Sequence, residues 1–255
     1  MSRRQPYLQI YQPQDAKVKN EMLGAKRDCM TAAVGAWMGR LKSYPGWREW
    51  KRKQVAYTLC SDDEKWLAPI ALESEFKLSD EMERQREVIV SYLSLEQTIH
   101  SLKECEFYFR RYPFRGLPVS RHSHITNVCE MYFGRFYEFK ERLKGYCNAL
   151  NAAEPGHGLE FGKFIKSFER AFGQELRARN SIHHHSRFED IAIDRVFLTH
   201  AVSLDKDENG WGWEHLAAYR RFTKEWSQRV VRSGEKMDEF LEAVADASLK
   251  TCRFL

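Results

Sequence analysis

The chain has 255 residues, of which 43% are hydrophobic and 30% are charged, and it carries a formal net charge of +5. This composition is typical of a globular protein, and the length suffices for one large domain or two small ones. The sequence argues against a membrane protein, since no run of 18 apolar residues occurs, and against a secretory signal, since no apolar core follows the arginines at positions 3 and 4.

Helical periodicity dominates the chain, and the scarcity of proline (7) and glycine (14) favours an all-α protein. A first helix is predicted over residues 14–42, where Asp15 could provide the N-cap, and Tyr44-Pro45-Gly46 ends it. A second, short helix follows from Trp47 through Val55. We expect residues 1–78 to form an N-terminal helical extension, whose last part, from residue 61, is an irregular connection.

Residues 79–255 are predicted to form the main helical unit. Ser79 is the expected N-cap of a long helix that ends at Tyr112-Pro113. The next amphipathic helix covers about 122–150, and the Glu154-Pro155-Gly156-His157-Gly158 segment after it is typical of a linker.

A third helix carries apolar side chains at three- and four-residue steps from Phe161 to Leu176, and continuing these steps leads to Arg179. The last helix starts near residue 213. Four helices that each have one apolar stripe predict an antiparallel helical bundle.

Charge and cysteine usage indicate the environment of the protein. Residues 1–60 carry 12 Lys/Arg against 4 Asp/Glu, residues 61–106 carry 5 against 12, and residues 107–146 carry 8 against 3. Two basic zones flanking an acidic one predict either polyanion binding or mutual pairing of the zones. The six cysteines are widely spaced and form no Cys-x-x-Cys pair, which indicates reduced thiols in a cytoplasmic protein.

The most informative motif is Arg179-Asn180-Ser181-Ile182-His183-His184-His185, at the end of the third predicted helix. Metal-free RNA cleavage needs a base for the ribose 2′-OH, a cation for the phosphate charge and a group that orients the phosphate. Histidine titrates near neutrality, arginine matches the geometry of a phosphate, and asparagine can donate a hydrogen bond to it. The motif supplies all three residue types within six positions.

With Arg179-Asn180 followed by His184, the chain resembles the HEPN family of all-helical proteins, many of which are metal-independent ribonucleases. The resemblance covers roughly residues 80–250. It implies an endoribonuclease in which His184 is the base, Arg179 stabilises the phosphate and Asn180 orients it, with no cofactor. It also implies a homodimer whose two motifs form a composite site, a role as a toxin or phage-defence effector, and an antitoxin or regulatory partner.

Which histidine acts is left open by the sequence. His185 fits the next family spacing, whereas His183 lies four residues after Arg179 and would share its face of an ideal helix. Five residues put Arg179 and His184 on different faces, so the site requires a helix end or kink near 181–186, or a second subunit. Asp190 could orient a histidine or cap the segment that follows it.

Two other interpretations of the motif compete with catalysis. Arg179 could satisfy the negative end of a helix dipole while the histidines cap the helix, which would leave an inactive helical scaffold that binds a protein or nucleic acid. The three histidines could instead bind a metal, although adjacent helical residues diverge and no acidic or cysteine ligand lies at a typical spacing. The preferred prediction is therefore that no metal is bound.

A basic, aromatic loop is a second candidate for RNA binding. Four arginines surround it, with Tyr112 and Phe114 between them, and this combination suits a single-stranded RNA. The arginines are Arg110, Arg111, Arg115 and Arg121. The alternative is that the aromatic rings fill the core while the arginines face water.

Overall fold

The computed structural model describes residues 24–59, 76–184, 187–205 and 209–255, and within them every regular element is a helix. Eight helices are present there, so the all-α prediction is confirmed. They are α1 (Ala25–Lys42), α2 (Trp47–Leu59), α3 (Asp80–Arg110), α4 (Arg121–Ala153), α5 (Phe161–Ala171), α6 (Gly173–His184), α7 (Ile191–Asp205) and α8 (Trp211–Thr251). None of the helices in these ranges is both long and apolar enough to cross a bilayer.

The starts of the two long central helices follow from local capping. The Ser79 hydroxyl accepts a hydrogen bond from the Met82 N–H at 3.3 Å, and three acidic residues follow in the first turn of α3. These acids suit the positive end of the helix dipole. Ser120 caps α4 in the same way, with 3.0 Å between its hydroxyl oxygen and Ser123 N. The Ser79 cap is as predicted from the sequence.

Helices α3 and α4 pair with their residue numbers running in opposite order. The side chain of His124 meets the Tyr108 carbonyl at 3.0 Å near one end, and the Tyr92 and Tyr146 ring centroids lie 6.1 Å apart towards the other. The apolar stripe of α3 is buried at each of its members, which are Val88, Tyr92, Leu95, Ile99, Leu102 and Phe109. Burial of such apolar side chains contributes about 1.5–3 kcal/mol each, and this is the main stabilising term.

Helix α8 packs on α3 and contacts α4. The Tyr132 and Ser233 hydroxyls lie 2.9 Å apart, and the Phe139 and Phe240 ring centroids lie 6.0 Å apart, so residue numbers rise together on α4 and α8. An aromatic cluster fills the space between the helices; its members are Phe109, Tyr132, Phe133, Phe222 and Trp226.

The third predicted helix is not continuous, which corrects the sequence prediction. Its backbone leaves helical geometry at Phe172 (φ −121°, ψ 24°), and α5 and α6 lie on either side of this bend. The Phe172 ring is buried against the rings of Phe136 and Phe168, with centroid distances of 5.2 and 4.9 Å. Tertiary packing of this ring, next to the weak helix former Gly173, outweighs the helical periodicity.

Helix α1 contributes to the same core as the later helices. Its buried side chains are Met30, Val34, Trp37 and Leu41. The Trp37 indole N–H donates to Gln85 Oε1 at 2.8 Å, and Arg27 Nη1 lies 2.7 Å from Asp238 Oδ1. Helix α1 is therefore attached to α3 and α8. It begins only at Ala25, because Gly24 has a φ of 133° that no helix continues through, so the prediction of one helix over 14–42 is wrong at its start. The expected cap at Asp15 lies outside the described residues.

Candidate functional site

Helix α6, which carries the motif, is fixed to the core at its first turn. Glu175 is almost buried there, and its Oε1 lies 3.3 Å from Arg229 Nη2. The Arg229 guanidinium in turn lies 4.8 Å from the centroid of the Trp226 ring on α8. A mostly buried ion pair in contact with aromatic rings restrains both helices more than an exposed pair would. The motif therefore extends from a rigidly held helix start.

Arg179 lies against an aromatic ring of α4. Its guanidinium carbon is 3.8 Å from the centroid of the Tyr137 ring, and its Nη1 is 3.4 Å from Asn180 Oδ1. Arginine stacked in this way is attracted by the electron-rich face of the ring, and it keeps its hydrogen-bond donors at the edge of its plane. The ring thus positions the cation while leaving donors for a phosphate.

Asn180 and His184 are both exposed and lie four residues apart, so they share one face of α6. The rings of His183 and His184 are in contact, with centroids 5.0 Å apart. Helix α6 ends at His184, within the interval where the sequence requires a helix end. His185 lies outside the described residues.

The helix geometry separates Arg179 from His184. Both belong to α6, and five residues at about 100° per residue leave them about 140° apart around the axis. His183, four residues after Arg179, is the histidine on its face. A single copy of the chain therefore does not bring the Arg179 and His184 side chains onto one surface of α6.

The segment after the motif is held by Glu130 of α4. Glu130 Oε1 lies 3.3 Å from the backbone N of Phe188 and 3.3 Å from Arg187 Nε, while Arg187 Nη2 lies 2.6 Å from Asn127 Oδ1. Arg187 and Phe188 follow Glu130 by 57 and 58 positions in the chain, and no local sequence pattern reveals such contacts.

Asp190 caps α7. Its Oδ1 accepts a hydrogen bond from the Ala192 N–H at 2.8 Å, and its carbonyl accepts one from Asp194 N at 2.9 Å. Of the two roles that the sequence leaves open for Asp190, capping is the one that these hydrogen bonds fulfil.

The predicted basic loop contains arginines in different environments. Arg110 pairs with Glu106, at 2.6 Å between Nε and Oε1, and Arg111 lies 5.8 Å from the Phe107 ring centroid. The Arg121 guanidinium lies 5.0 Å from the Tyr112 ring and 5.7 Å from that of Tyr219.

Arg115, the fourth of these arginines, is exposed. The ring of Phe114 packs on His124, which is buried, at 5.5 Å. The Phe114 ring on a buried residue and the exposed Arg115 are features of the alternative interpretation, in which aromatic rings fill the core while the arginines face water.

Burial shapes the titration of two side chains near this region. The pKa of the Cys129 thiol is raised well above its usual value, mainly because the thiol is buried, so it stays protonated at neutral pH. Burial is also the main reason why the pKa of His122 is lowered. The charge of Asp194 raises this pKa, whereas that of Arg187 lowers it further. Among the described residues, no group of three or more His, Cys, Asp or Glu is arranged to hold a metal ion.

Comparison of the chain with protein-family models, with curated proteins and with solved structures finds no match. Arguments about function consequently depend on the motif and on the geometry around it.

Proposed function

We propose that the protein is a metal-independent endoribonuclease of HEPN type. The observation that carries the proposal is the α6 terminus, where Arg179 is stacked at 3.8 Å on Tyr137 while Asn180 and His184 are exposed on a common face. A positioned cation and an exposed amide and imidazole, which lie on one helix terminus but on two faces of it, provide the residue types needed for cleavage of a phosphodiester by its own 2′-OH.

The proposed reaction assigns one task to each residue. His184 takes the proton from the ribose 2′-OH, whose oxygen forms a bond to phosphorus as the bond to the 5′-oxygen breaks. Arg179 stabilises the charge on the non-bridging oxygens, and Asn180 orients the phosphate. The leaving 5′-oxygen takes up a proton from water and His184 returns its proton to solvent, so the products are a 2′,3′-cyclic phosphate and a 5′-hydroxyl. His183 is the alternative base for a site built within one chain, and His185 is the alternative by family spacing.

A site that uses Arg179 and His184 together requires a second copy of the chain, because the two diverge on α6. Helix α7 offers a surface for that copy directly after the motif. Its large exposed apolar side chains are Ile191, Phe197, Leu198 and Leu204, with exposed fractions between 52 and 88%. Ile191 with Leu198 and Phe197 with Leu204 form two exposed apolar pairs on neighbouring faces of α7, and exposed apolar side chains of this size occur at protein interfaces. The proposal therefore includes a homodimer in which the α7 surface is buried.

The finer features of the fold and setting belong to the same proposal. Support for an antiparallel, HEPN-like bundle in residues 79–255 comes from the opposite residue order in the α3–α4 contacts. Residues 1–78 are proposed as an extension of that bundle. The proposal also includes the biological role, which is that of a cytoplasmic toxin or phage-defence effector restrained by an antitoxin or regulatory protein. The nuclease needs no cofactor.

The test is RNA cleavage in excess EDTA by the purified chain, its His184→Ala variant and a matched His100→Ala control. His100 is a comparably exposed histidine of α3 whose side chain is 68% exposed. We expect cyclic-phosphate ends from the wild type and from the control, and a loss of at least about 100-fold in the His184 variant. Equal cleavage by all three proteins would refute the assignment of His184.

The second candidate function is a helical scaffold for a protein partner. The exposed α7 side chains favour it, together with Trp213 at the start of α8, which is 73% exposed. If the wild type leaves RNA intact across a broad substrate mixture while a substitution on α7 abolishes capture of a partner, the scaffold is the better account.

A further inference from the structure

Helix α2 projects from the core with no buried residue along its 13 positions. It is connected to the rest of the protein at its N-terminal end, where the ring of Trp47 packs on those of Trp50 and Phe76 with centroid distances of 5.0 and 5.7 Å. The Tyr44 hydroxyl accepts a hydrogen bond from Ser79 N at 2.9 Å, which fixes this corner to the start of α3. Trp47 packs against the core, but beyond its first turn α2 adds no side chain to the core and is available for binding.

One face of α2 lines an open groove of about 550 Å³ together with the end of α1. The lining residues recur at helical spacing and pass from basic to apolar along the helix. They are Lys42 on α1 and, on α2, Trp47, Arg48, Lys51, Arg52, Val55, Ala56 and Leu59. Cations and apolar side chains thus follow one another on the same face.

None of the four cations of this groove pairs with a carboxylate among the described residues. Lys42, Arg48, Lys51 and Arg52 are all exposed, and in the described part of the chain their charged groups make one hydrogen bond, from Arg48 Nε to the Lys42 carbonyl at 3.2 Å. By contrast, Lys53, which does not line the groove, lies 3.5 Å from Glu49. Four cations on one groove, with no carboxylate partner among the residues that the structure describes, create a positive potential that attracts a polyanion.

We propose that this groove, which we call the α1–α2 groove, binds the backbone of single-stranded RNA outside the catalytic motif. The inference rests on the proposed ribonuclease function and extends it by naming where the substrate is held. The four cations contact phosphates, and Trp47 and Val55 contact the bases. A charged groove that includes aromatic and apolar side chains is the usual arrangement for binding an unpaired strand.

The order of side chains on α2 favours RNA over a lipid surface. A helix that lies on a bilayer needs its apolar residues on one face and its cations on the opposite one. Here Arg48 and Lys51 share a face with Val55 and Leu59, since these positions are separated by steps of three or four residues. Such a face suits an unpaired strand, which presents phosphates to the cations and bases to the apolar side chains.

The groove and the motif are far apart along the bundle. Arg179 contacts Tyr137, midway along α4, whereas the groove adjoins the start of α3, beside the end of α4. Sixteen residues of α4 separate Tyr137 from Ala153, which corresponds to about 24 Å. At about 3.4 Å per nucleotide of a stacked strand, an RNA that reaches both sites has more than about seven nucleotides.

The experiment measures RNA binding by the full chain with the His184→Ala substitution, so that no cleavage interferes. Fluorescence anisotropy with a labelled 20-nucleotide oligouridine compares this reference with the same chain carrying Lys51→Gln and Arg52→Gln. A matched control carries Lys224→Gln and Lys236→Gln, two exposed lysines of α8. Because α2 buries no side chain, the groove variant should keep the circular dichroism and melting temperature of the reference.

We expect the groove variant to bind about tenfold more weakly and the control to bind within about twofold of the reference. The slope of log K against log salt should become shallower by about 1.4, since each phosphate contact on a single strand contributes about 0.7. A five-nucleotide oligouridine should show a much smaller difference between the variants.

Equal binding of the 20-mer by groove and control variants, or no binding by the reference, would overturn the inference. Loss of binding to phosphatidylserine vesicles without loss of RNA binding would assign the groove to lipid instead. The EDTA cleavage assay reports on the motif separately. Cleavage by the wild type with unaffected binding by the groove variant would reject the groove alone, and RNA binding without cleavage would reject the nuclease.

Discussion

The guanidinium of Arg179 lies 3.8 Å from the centroid of the Tyr137 ring. This contact joins the motif-bearing α6 to the middle of α4 and defines the orientation of the cation. An arginine on a flexible exposed helix end would lose side-chain entropy when it binds a phosphate, and the ring removes part of that cost in advance. Tyr137 is therefore expected to act as a positioning residue for Arg179.

The first prediction concerns this ring. Tyr137→Phe keeps the aromatic face and should retain kcat/KM within about twofold, whereas Tyr137→Leu should lower it about 3- to 30-fold, since an arginine–ring contact is worth about 0.5–2 kcal/mol. Steady-state cleavage of a short RNA in EDTA measures both. A comparable loss in both variants, or a loss of stability that accounts for the effect in urea unfolding, would contradict a positioning role.

A second prediction tests how the segment after the motif is held. Glu130→Ala removes the acceptor of the Phe188 N–H and the partner of Arg187, and should lower the free energy of unfolding by about 1–2 kcal/mol. Glu141→Ala is the matched control on the same helix, because Glu141 forms only an exposed pair with Lys144. The control should change stability by less than about 0.5 kcal/mol in urea denaturation. Equal effects of the two substitutions would show that the Glu130 contacts do not stabilise the segment.

The sequence predicts those features of the fold that depend on neighbouring residues. The Ser79 cap and the buried stripe from Val88 to Phe109 are both local signals, of hydrogen bonding within one turn and of helical period. The bend at Phe172 is not, because it depends on packing against Phe136, which precedes it by 36 positions. Periodicity alone continues the helix through that point.

The candidate site shows the same division between local and long-range information. Arg179, Asn180 and His184 are recognisable as a motif, since they lie within six positions. Tyr137 and Glu130 are not, because each supports the motif region from α4 and is brought there only by the fold. One feature of the sequence does set Tyr137 apart, since this aromatic residue lies beside the buried apolar stripe of α4 rather than within it.

The third prediction concerns pH. His215 is buried, and its Nδ1 lies 3.1 Å from the Val196 carbonyl, while its ring stacks on that of His200 at 4.9 Å. Burial is the largest influence and lowers the pKa of His215 below its usual value of 6.5, with a smaller opposing effect of the Val196 carbonyl and smaller lowering effects of His200 and Arg121. The unfolded chain therefore binds this proton more readily than the folded chain does.

The consequence is that the contribution of His215 to stability is complete above pH 6.5 and is lost as the pH falls below it. Urea denaturation of the wild type should show a free energy of unfolding that decreases from pH 7.5 to pH 5.5. The decrease in the free energy of unfolding should be smaller for His215→Gln than for His100→Gln, because His100 is exposed. An unchanged slope in the His215 variant would contradict this origin of the pH dependence.

The fourth prediction compares two glycines within long helices. An added Cβ at Gly145 of α4 meets nothing within 4 Å, so Gly145→Ala should raise the free energy of unfolding by about 0.5–1 kcal/mol through helix propensity. At Gly234 of α8 the same atom would lie 3.0 Å from Lys103 Cγ, whose ammonium pairs with Asp238. Gly234→Ala should therefore gain less than Gly145→Ala in paired urea titrations. A larger gain at Gly234 would mean that Lys103 moves aside freely.

The last prediction separates a composite site from a site within one chain. Arg179→Ala and His184→Ala should each be inactive alone. If each site combines Arg179 of one copy with His184 of the other, a mixed dimer of the two variants has one intact site. After subunit exchange in an equimolar mixture, half of the dimers are mixed, so about a quarter of the wild-type activity should return. Two preparations of the same variant provide the control and should stay inactive. No recovery in a mixture whose exchange is verified by differently tagged subunits would contradict the composite site and would mean that Arg179 and His184 act within one copy. A His184→Ala variant that stays active would instead favour His183, the histidine on the face of Arg179, as the base.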